Sequence, residues 1–246
     1  MQSRYVFLRK GLILESWLSK LYSTFIESGH YQLMIDGLRN TLIITGVALV
    51  IGIVIGSLIA VIKYFAEDSS ALKPFAVICD LYVTVIRGIP MTVLLLLFFF
   101  VIMASEQNGV LVACITFGIN SGAYMAELIR SGINAVDEGQ MEAGRSLGLS
   151  KLQTMTKIIF PQAIKYILPA IGNELIALLK ETSVAGYVAV VDLTRAGNLV
   201  RNNTHDAINS ILVVAVVYLI MVVILTQLLG ILERRLHKND RNRKSN

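Results

Sequence analysis

Charge is what this chain is short of. Asp, Glu, Lys and Arg make up 16% of its 246 residues, against roughly 25% in ordinary globular chains. Residues 41–62, 88–105 and 207–232 contain no charge at all. Each block is near or above the roughly 20 residues that cross about 30 Å of hydrocarbon as a helix, which excludes the one or two soluble domains that length alone would suggest. Cysteine is scarce too. Cys79 and Cys114 stand apart with no C-x-x-C or Cys/His spacing, so they read as small buried hydrophobes. The three histidines, His30, His205 and His237, are scattered, and no metal or other cofactor is expected. No Ser/His/Asp set, H-E-x-x-H motif or paired-aspartate arrangement points to an enzyme. The net charge of +5 clusters beside the apolar blocks, a sign of membrane topology rather than of a nucleic-acid partner. The opening, MQSRYVFLRKGLILESW, has a broken apolar run and no small-residue cleavage site, so no cleavable signal is expected.

What is there is 55% hydrophobic with a mean hydropathy of +0.67. The fold class this predicts is all-α and polytopic, with about five transmembrane helices. The spans fall at residues 41–63, 83–104, 109–130, 165–182 and 208–232, the fourth being the least apolar. Residues 64–82 read as a polar loop. Residues 1–38 carry Leu14, Trp17, Leu18, Leu21 and Phe25 at helical spacing, interrupted by Glu15, Lys20 and Glu27. That pattern suggests an amphipathic helix on the membrane surface, with a short span from about residue 11 as the alternative. The organisation is then an N-terminal segment at 1–38, a membrane domain at 39–236 and a basic tail at 237–246. Lys63, Lys73, Arg130, Arg145, Lys151, Lys157 and Lys165 share one side with the tail's Arg and Lys residues. The opposite loops hold only Arg195 and Arg201, which places the 131–164 loop and the C-terminus in the cytoplasm. Arg4, Arg9, Lys10, Lys20 and Arg39 argue weakly against it.

The most informative stretch is the polar one at 139–161, GQMEAGRSLGLSKLQTMTKIIFP. Its start, G-x-x-x-x-G-R-S, imitates a phosphate-binding loop. That reading is rejected because Arg145 replaces the lysine, Glu142 puts negative charge in the loop, and the flanks look helical. The pattern predicts instead a helix at 140–147, with Met141, Ala143 and Leu147 giving apolar contacts. Gly148 then ends that helix, and Ser150 caps a second one at 151–159 before Pro161.

Glu142-Ala143-Gly144, Gly148, Ile158 and Pro161 fall at the spacing E-A-A-x3-G-x9-I-x-L-P. This resembles the cytoplasmic "EAA" loop of ABC importer permeases, on which the ATPase pushes. Gly144 stands where that family usually has alanine and Phe160 where it has leucine, and Gly144 is expected to loosen the helix by up to about 1 kcal/mol. Arg87-Gly88-Ile89-Pro90 resembles the R-G-[TI]-P of polar amino acid permeases, the histidine, arginine and glutamine group. Residues 123–130, AYMAELIR, are similar to their A-Y-x-A-E-I-x-R. LPAIGNE at 168–174 and KETS at 180–183 follow in the family's order.

The resemblance implies a multi-pass subunit of the cell (inner, cytoplasmic) membrane that hydrolyses nothing itself. It implies a second permease copy, identical or paralogous, a pair of ABC ATPase subunits beneath, an extracytoplasmic solute-binding protein and an amino acid substrate. Glu142, Ala143, Gly144, Gly148, Ile158 and Pro161 would form the coupling surface. In-span polar groups are costly and face pathways or structural partners. Pathway candidates are Arg87, Asn120, Ser121, Tyr124, Glu127, Asn173, Glu174, Thr182 and Ser183, with Arg87 or the N–H groups near Gly88 for a carboxylate and Glu127 or Glu174 for an ammonium. Helix packing explains the same residues comparably well. Glu127 and Arg130, at i and i+3, are expected to pair. The competing functions are a secondary transporter or channel, which usually shows paired halves, and an ABC permease for methionine or an osmolyte.

Overall fold

The computed structural model describes residues 15–244, of which 237–244 carry helical backbone only. Residues 1–14 of the amphipathic segment and the basic side chains of the tail lie outside the described residues. Every regular element among the described residues is helical. Helix α1, residues 15–22, runs into a π turn at Ser23–Glu27. Gly29, with φ of 72°, leads the chain into α2, His30–Ala66. This helix of 37 residues is about 55 Å long at 1.5 Å per residue, and no break separates residues 30–38 from the apolar span that follows.

The polar 64–82 loop and the single span at 83–104 are both corrected. Helix α3 already begins at Lys73 and runs to Gly88, with Pro74 in the first turn, where its missing N–H costs nothing. The connection from α2 shrinks to residues 67–72. After α3 the path turns by 107° into α4, Met91–Leu97, which ends in a π turn at Phe98–Ile102. Pro90 disfavours helical geometry at the preceding residue. Ile89 is accordingly extended, with φ −101° and ψ 128°.

Helix α5, Gly109–Asn134, starts from an Asn108 side-chain cap. It is followed by α6 (Gly139–Ser146), α7 (Lys151–Thr154), a π turn at Met155–Ile159 and α8 (Phe160–Glu181). A 3-10 turn, Thr182–Val188, leads to α9 (Leu193–Thr204) and α10 (Ala207–Lys244). Three of these, α2, α5 and α10, are long and apolar enough to cross a membrane, and the bent α3–α4 pair makes a fourth. Helix α8 lies against α5 and α10 and is too polar to join that set, as its sequence suggests.

The most extensive packing is between α2 and α5. Glycines on each helix receive side chains from the other. A methyl on Gly52 would sit 2.6 Å from Ser121 Oγ, and one on Gly56 2.5 Å from Met125 Cβ. In return, methyls on Gly118 and Gly122 would sit 2.7 Å from Ile51 Cβ and Ile55 Cγ2. Around this seam Ile44, Leu95, Phe117, Leu178 and Val188 form the largest buried cluster. At one end, α9 crosses α2: Asn40 Nδ2 donates to the Val191 carbonyl at 2.9 Å, and Leu193 N–H donates to Thr41 Oγ1 at 3.1 Å. At the other end, which carries α6 and α7, Ile129, Val136, Ile159, Ala163 and Ile167 close a second cluster. Helix α10 leaves Ile208, Leu219 and Leu228 exposed, as an apolar solvent would require.

Candidate functional site

Two groups of residues carry function-bearing chemistry, the α6–α7 hairpin and a polar cluster between α3 and α5. The hairpin folds as its local sequence dictates. Helix α6 ends in a Schellman arrangement: Gly148 takes φ of 82°, its N–H reaches the Arg145 carbonyl at 3.0 Å, and Leu149 N–H reaches the Gly144 carbonyl at 3.1 Å. Ser150 then closes a capping box. Its Oγ accepts the Gln153 N–H at 3.1 Å, while its own N–H donates to Gln153 Oε1 at 2.8 Å. The phosphate-loop imitation at 139–146 is helix throughout.

Three expectations about this loop change. The second helix does not stop before Pro161; it passes through the π turn and continues as α8, with Pro161 exposed in the first turn. Only Met141 turns toward the apolar cluster, whereas Ala143 is exposed and Leu147 is 80% exposed. Gly144 has a packing role beside its low helix propensity. It is buried, and a methyl there would overlap the Thr154 side chain, which fills that space. Glu142, Ala143, Leu147 and Gly148 therefore form the outer edge of the hairpin, while Gly144 and the half-buried Ile158 hold it from within.

The hairpin is also tied sideways to residues that spacing could not reveal. Lys151 Nζ donates to Asp68 Oδ2 at 2.8 Å and to Glu67 Oε2 at 3.0 Å. It lies 5.3 Å from the centroid of the Tyr64 ring, and Tyr64 Oη donates to the Lys151 carbonyl at 3.3 Å. Hydrogen bonds to Asp68 and Glu67 hold the Lys151 ammonium above the usual lysine range. Its charge is thus kept across physiological pH.

In the second group, Glu127 pairs with Arg130 at 2.7 Å, as its i,i+3 placement predicted, and with Arg87 from α3 at 4.0 Å. Arg87 lies 5.1 Å from the centroid of the Tyr124 ring, within cation–π range. Arg87, Tyr124 and Glu127 thus converge. Glu174 is half-buried on α8. Arg130 and Glu127 also line a cavity of about 460 Å³ between α2, α3 and α5, together with the Lys63–Asp80 pair at 2.6 Å.

The other candidates are placed differently. Asn120 and Ser121 are buried, with Ser121 on the α2–α5 seam. Asn173 is exposed on α8. Thr182 is buried and donates to the Leu179 carbonyl at 2.7 Å, and Ser183 is half-buried in the turn that follows. Among the described residues no three His, Cys, Asp or Glu side chains converge as metal ligands would.

A sequence model of one family, described as "Binding-protein-dependent transport system inner membrane component", matches residues 52–238. The chain is 35% identical over 206 residues to the putative glutamine transport system permease protein GlnP of Rickettsia bellii, covering 82% of this chain and 92% of that one. It is 33% identical over 210 residues to the arginine transport system permease protein ArtQ of Bacillus subtilis, covering 84% and 94%. Among solved structures, an amino acid ABC transporter crystallised with histidines superposes with a TM-score of 0.78 at 38% identity, over 85% of this chain and 96% of that one. An inward-facing methionine transporter, MetNI, gives a TM-score of 0.72 over 84% and 97%, and at 21% identity shows only a shared fold. The chain belongs to the binding-protein-dependent transport system inner membrane component family, a transport subunit of the ABC permease type whose ATP hydrolysis takes place on a separate chain.

Proposed function

We propose that this chain pairs with a second permease, identical or paralogous, to line a path for polar amino acids across the cytoplasmic membrane. An ATPase pair docks on the α6–α7 hairpin from the cytoplasm, and an extracytoplasmic binding protein delivers the substrate. The observation that carries the reading is the hairpin: a capped two-helix projection with Glu142 and Leu147 outward and a continuous helical path from α7 into α8. A short amphipathic helix laid in a partner's groove is an established docking mode. The excess of Lys and Arg around residues 131–164 and in the tail supports the cytoplasmic orientation. Likeness to glutamine and arginine permeases supports the substrate class.

Arg87 takes the substrate carboxylate, and Glu127 or Glu174 its ammonium. The test is reconstitution in vesicles with the cognate ATPase and binding protein. Glu142→Ala and Gly148→Val should leave insertion intact and remove ATP-driven uptake. Uptake at the wild-type rate in both variants would overturn the coupling role, and uptake driven by an ion gradient without ATPase would overturn the importer itself.

A further inference from the structure

A push on the α6–α7 hairpin has two ways into the molecule. The covalent way passes through the π turn at Met155–Ile159 into α8. A π turn interrupts the regular ladder of i→i−4 bonds and is a common point of compliance in a helix. The second way runs through Lys151, at the first position of α7, whose ammonium spans Glu67 and Asp68 just beyond the end of α2. The Lys151 carbonyl takes the Tyr64 hydroxyl, and the Tyr64 ring lies beside the ammonium. Four contacts thus converge on one residue, from both its backbone and its side chain. Individually they are exposed or half-exposed and weak, so stability is a poor reason for the arrangement. Geometry is a better one. Helix α2, 37 residues long, is locked to α5 along the glycine seam. A link from the hairpin to the end of α2 bypasses the π turn.

We propose that Lys151 is a positioning residue that latches the hairpin to the end of α2, so that displacement of the hairpin moves α2 and α5 directly. This rests on the hairpin being the ATPase docking surface. The latch stays closed through the cycle, with the hairpin and α2 moving as one body.

The experiment measures amino acid uptake and ATP hydrolysis together, in vesicles holding the complete complex with its ATPase and binding protein. Wild-type uptake establishes the functional reading by itself, and only the ratio of uptake to hydrolysis in the variants bears on the latch. Lys151→Met and the pair Glu67→Gln/Asp68→Asn should each lower that ratio roughly fivefold or more, a typical size for coupling between sites, with thermal stability and complex assembly unchanged. Lys151→Arg should keep most of the ratio. Lys151→Glu combined with Glu67→Lys and Asp68→Lys should recover what Lys151→Glu alone loses. A wild-type ratio in Lys151→Met, or no recovery in the reversed trio, would overturn the proposal. Should Lys151→Met assemble poorly, Lys151→Gln, a polar side chain without the charge, provides the second reading: a lowered ratio with assembly intact supports the latch, and a wild-type ratio overturns it.

Discussion

Single side chains decide how the hairpin is built, and Gly144 is the clearest case. The Thr154 methyl and hydroxyl occupy the space a side chain at 144 would need, and the hydroxyl donates to the Ser150 carbonyl at 3.0 Å. Gly144→Ala should therefore destabilise the hairpin by about 1–3 kcal/mol, the usual cost of overpacking, despite alanine's better helix propensity. Gly144→Ala/Thr154→Ala should recover most of that, and thermal unfolding in detergent across the four proteins gives the coupling energy. The motif fixed 144 as a small-residue site, but the reason lies ten residues on, in a partner that local propensity does not see.

Asp192 makes a second residue-scale case. Fully buried, it caps α9 by accepting the Thr194 and Arg195 N–H groups at 2.8 and 3.2 Å. Burial pushes its carboxyl above the ordinary aspartate range, against the pull of those N–H groups. The folded acid holds its proton more tightly than the unfolded one, so its contribution is full below the ordinary aspartate range and is lost as pH rises through the raised value. At neutral pH Asp192→Asn should keep the cap and match or exceed the wild-type melting temperature. Asp192→Ala should lose about 1–2 kcal/mol. The difference between wild type and the Asn variant should shrink on acidification.

At the scale of elements, the charge-free blocks at 41–62 and 207–232 announce α2 and α10, because a helix in hydrocarbon must be apolar on most of its surface. The elbow between α3 and α4 was less legible. Hydropathy averages over a window and joins residues on both sides of Pro90, while the direction of a helix depends on one dihedral pair at Ile89. The same averaging hid the start of α3, whose Lys73, Asp80 and Arg87 are paired or placed at cavities rather than in lipid. Replacing Ile89-Pro90 by Ala-Ala should let α3 and α4 join. Spin labels near residues 73 and 102 should then move apart by about 15 Å, from the 1.5 Å rise per residue, and an unchanged distance would show that tertiary packing holds the bend. Lys151 was legible only as a basic loop residue, since its contacts to Asp68 and Glu67, across 83 and 84 positions, leave no local trace.

For the molecule as a whole, the seam between α2 and α5 sets what can move. Gly52 and Gly56 receive α5, and Gly118 and Gly122 receive α2. Substituting any of the four by leucine should cost more than about 3 kcal/mol, and loss of a monodisperse peak on size exclusion reports it, because neither backbone can retreat without opening the other pair. The reciprocity has a consequence for motion. Each helix carries its holes opposite the other's knobs, so the pair fits in one register, and a slide along its axis by a single residue sets Ile51 and Ile55 against side chains instead of hollows. Such a pair moves as one stiff body whose helices do not slide past each other, and bending is left to the places where the helical ladder is already broken, at Ile89-Pro90 and at the π turn before α8.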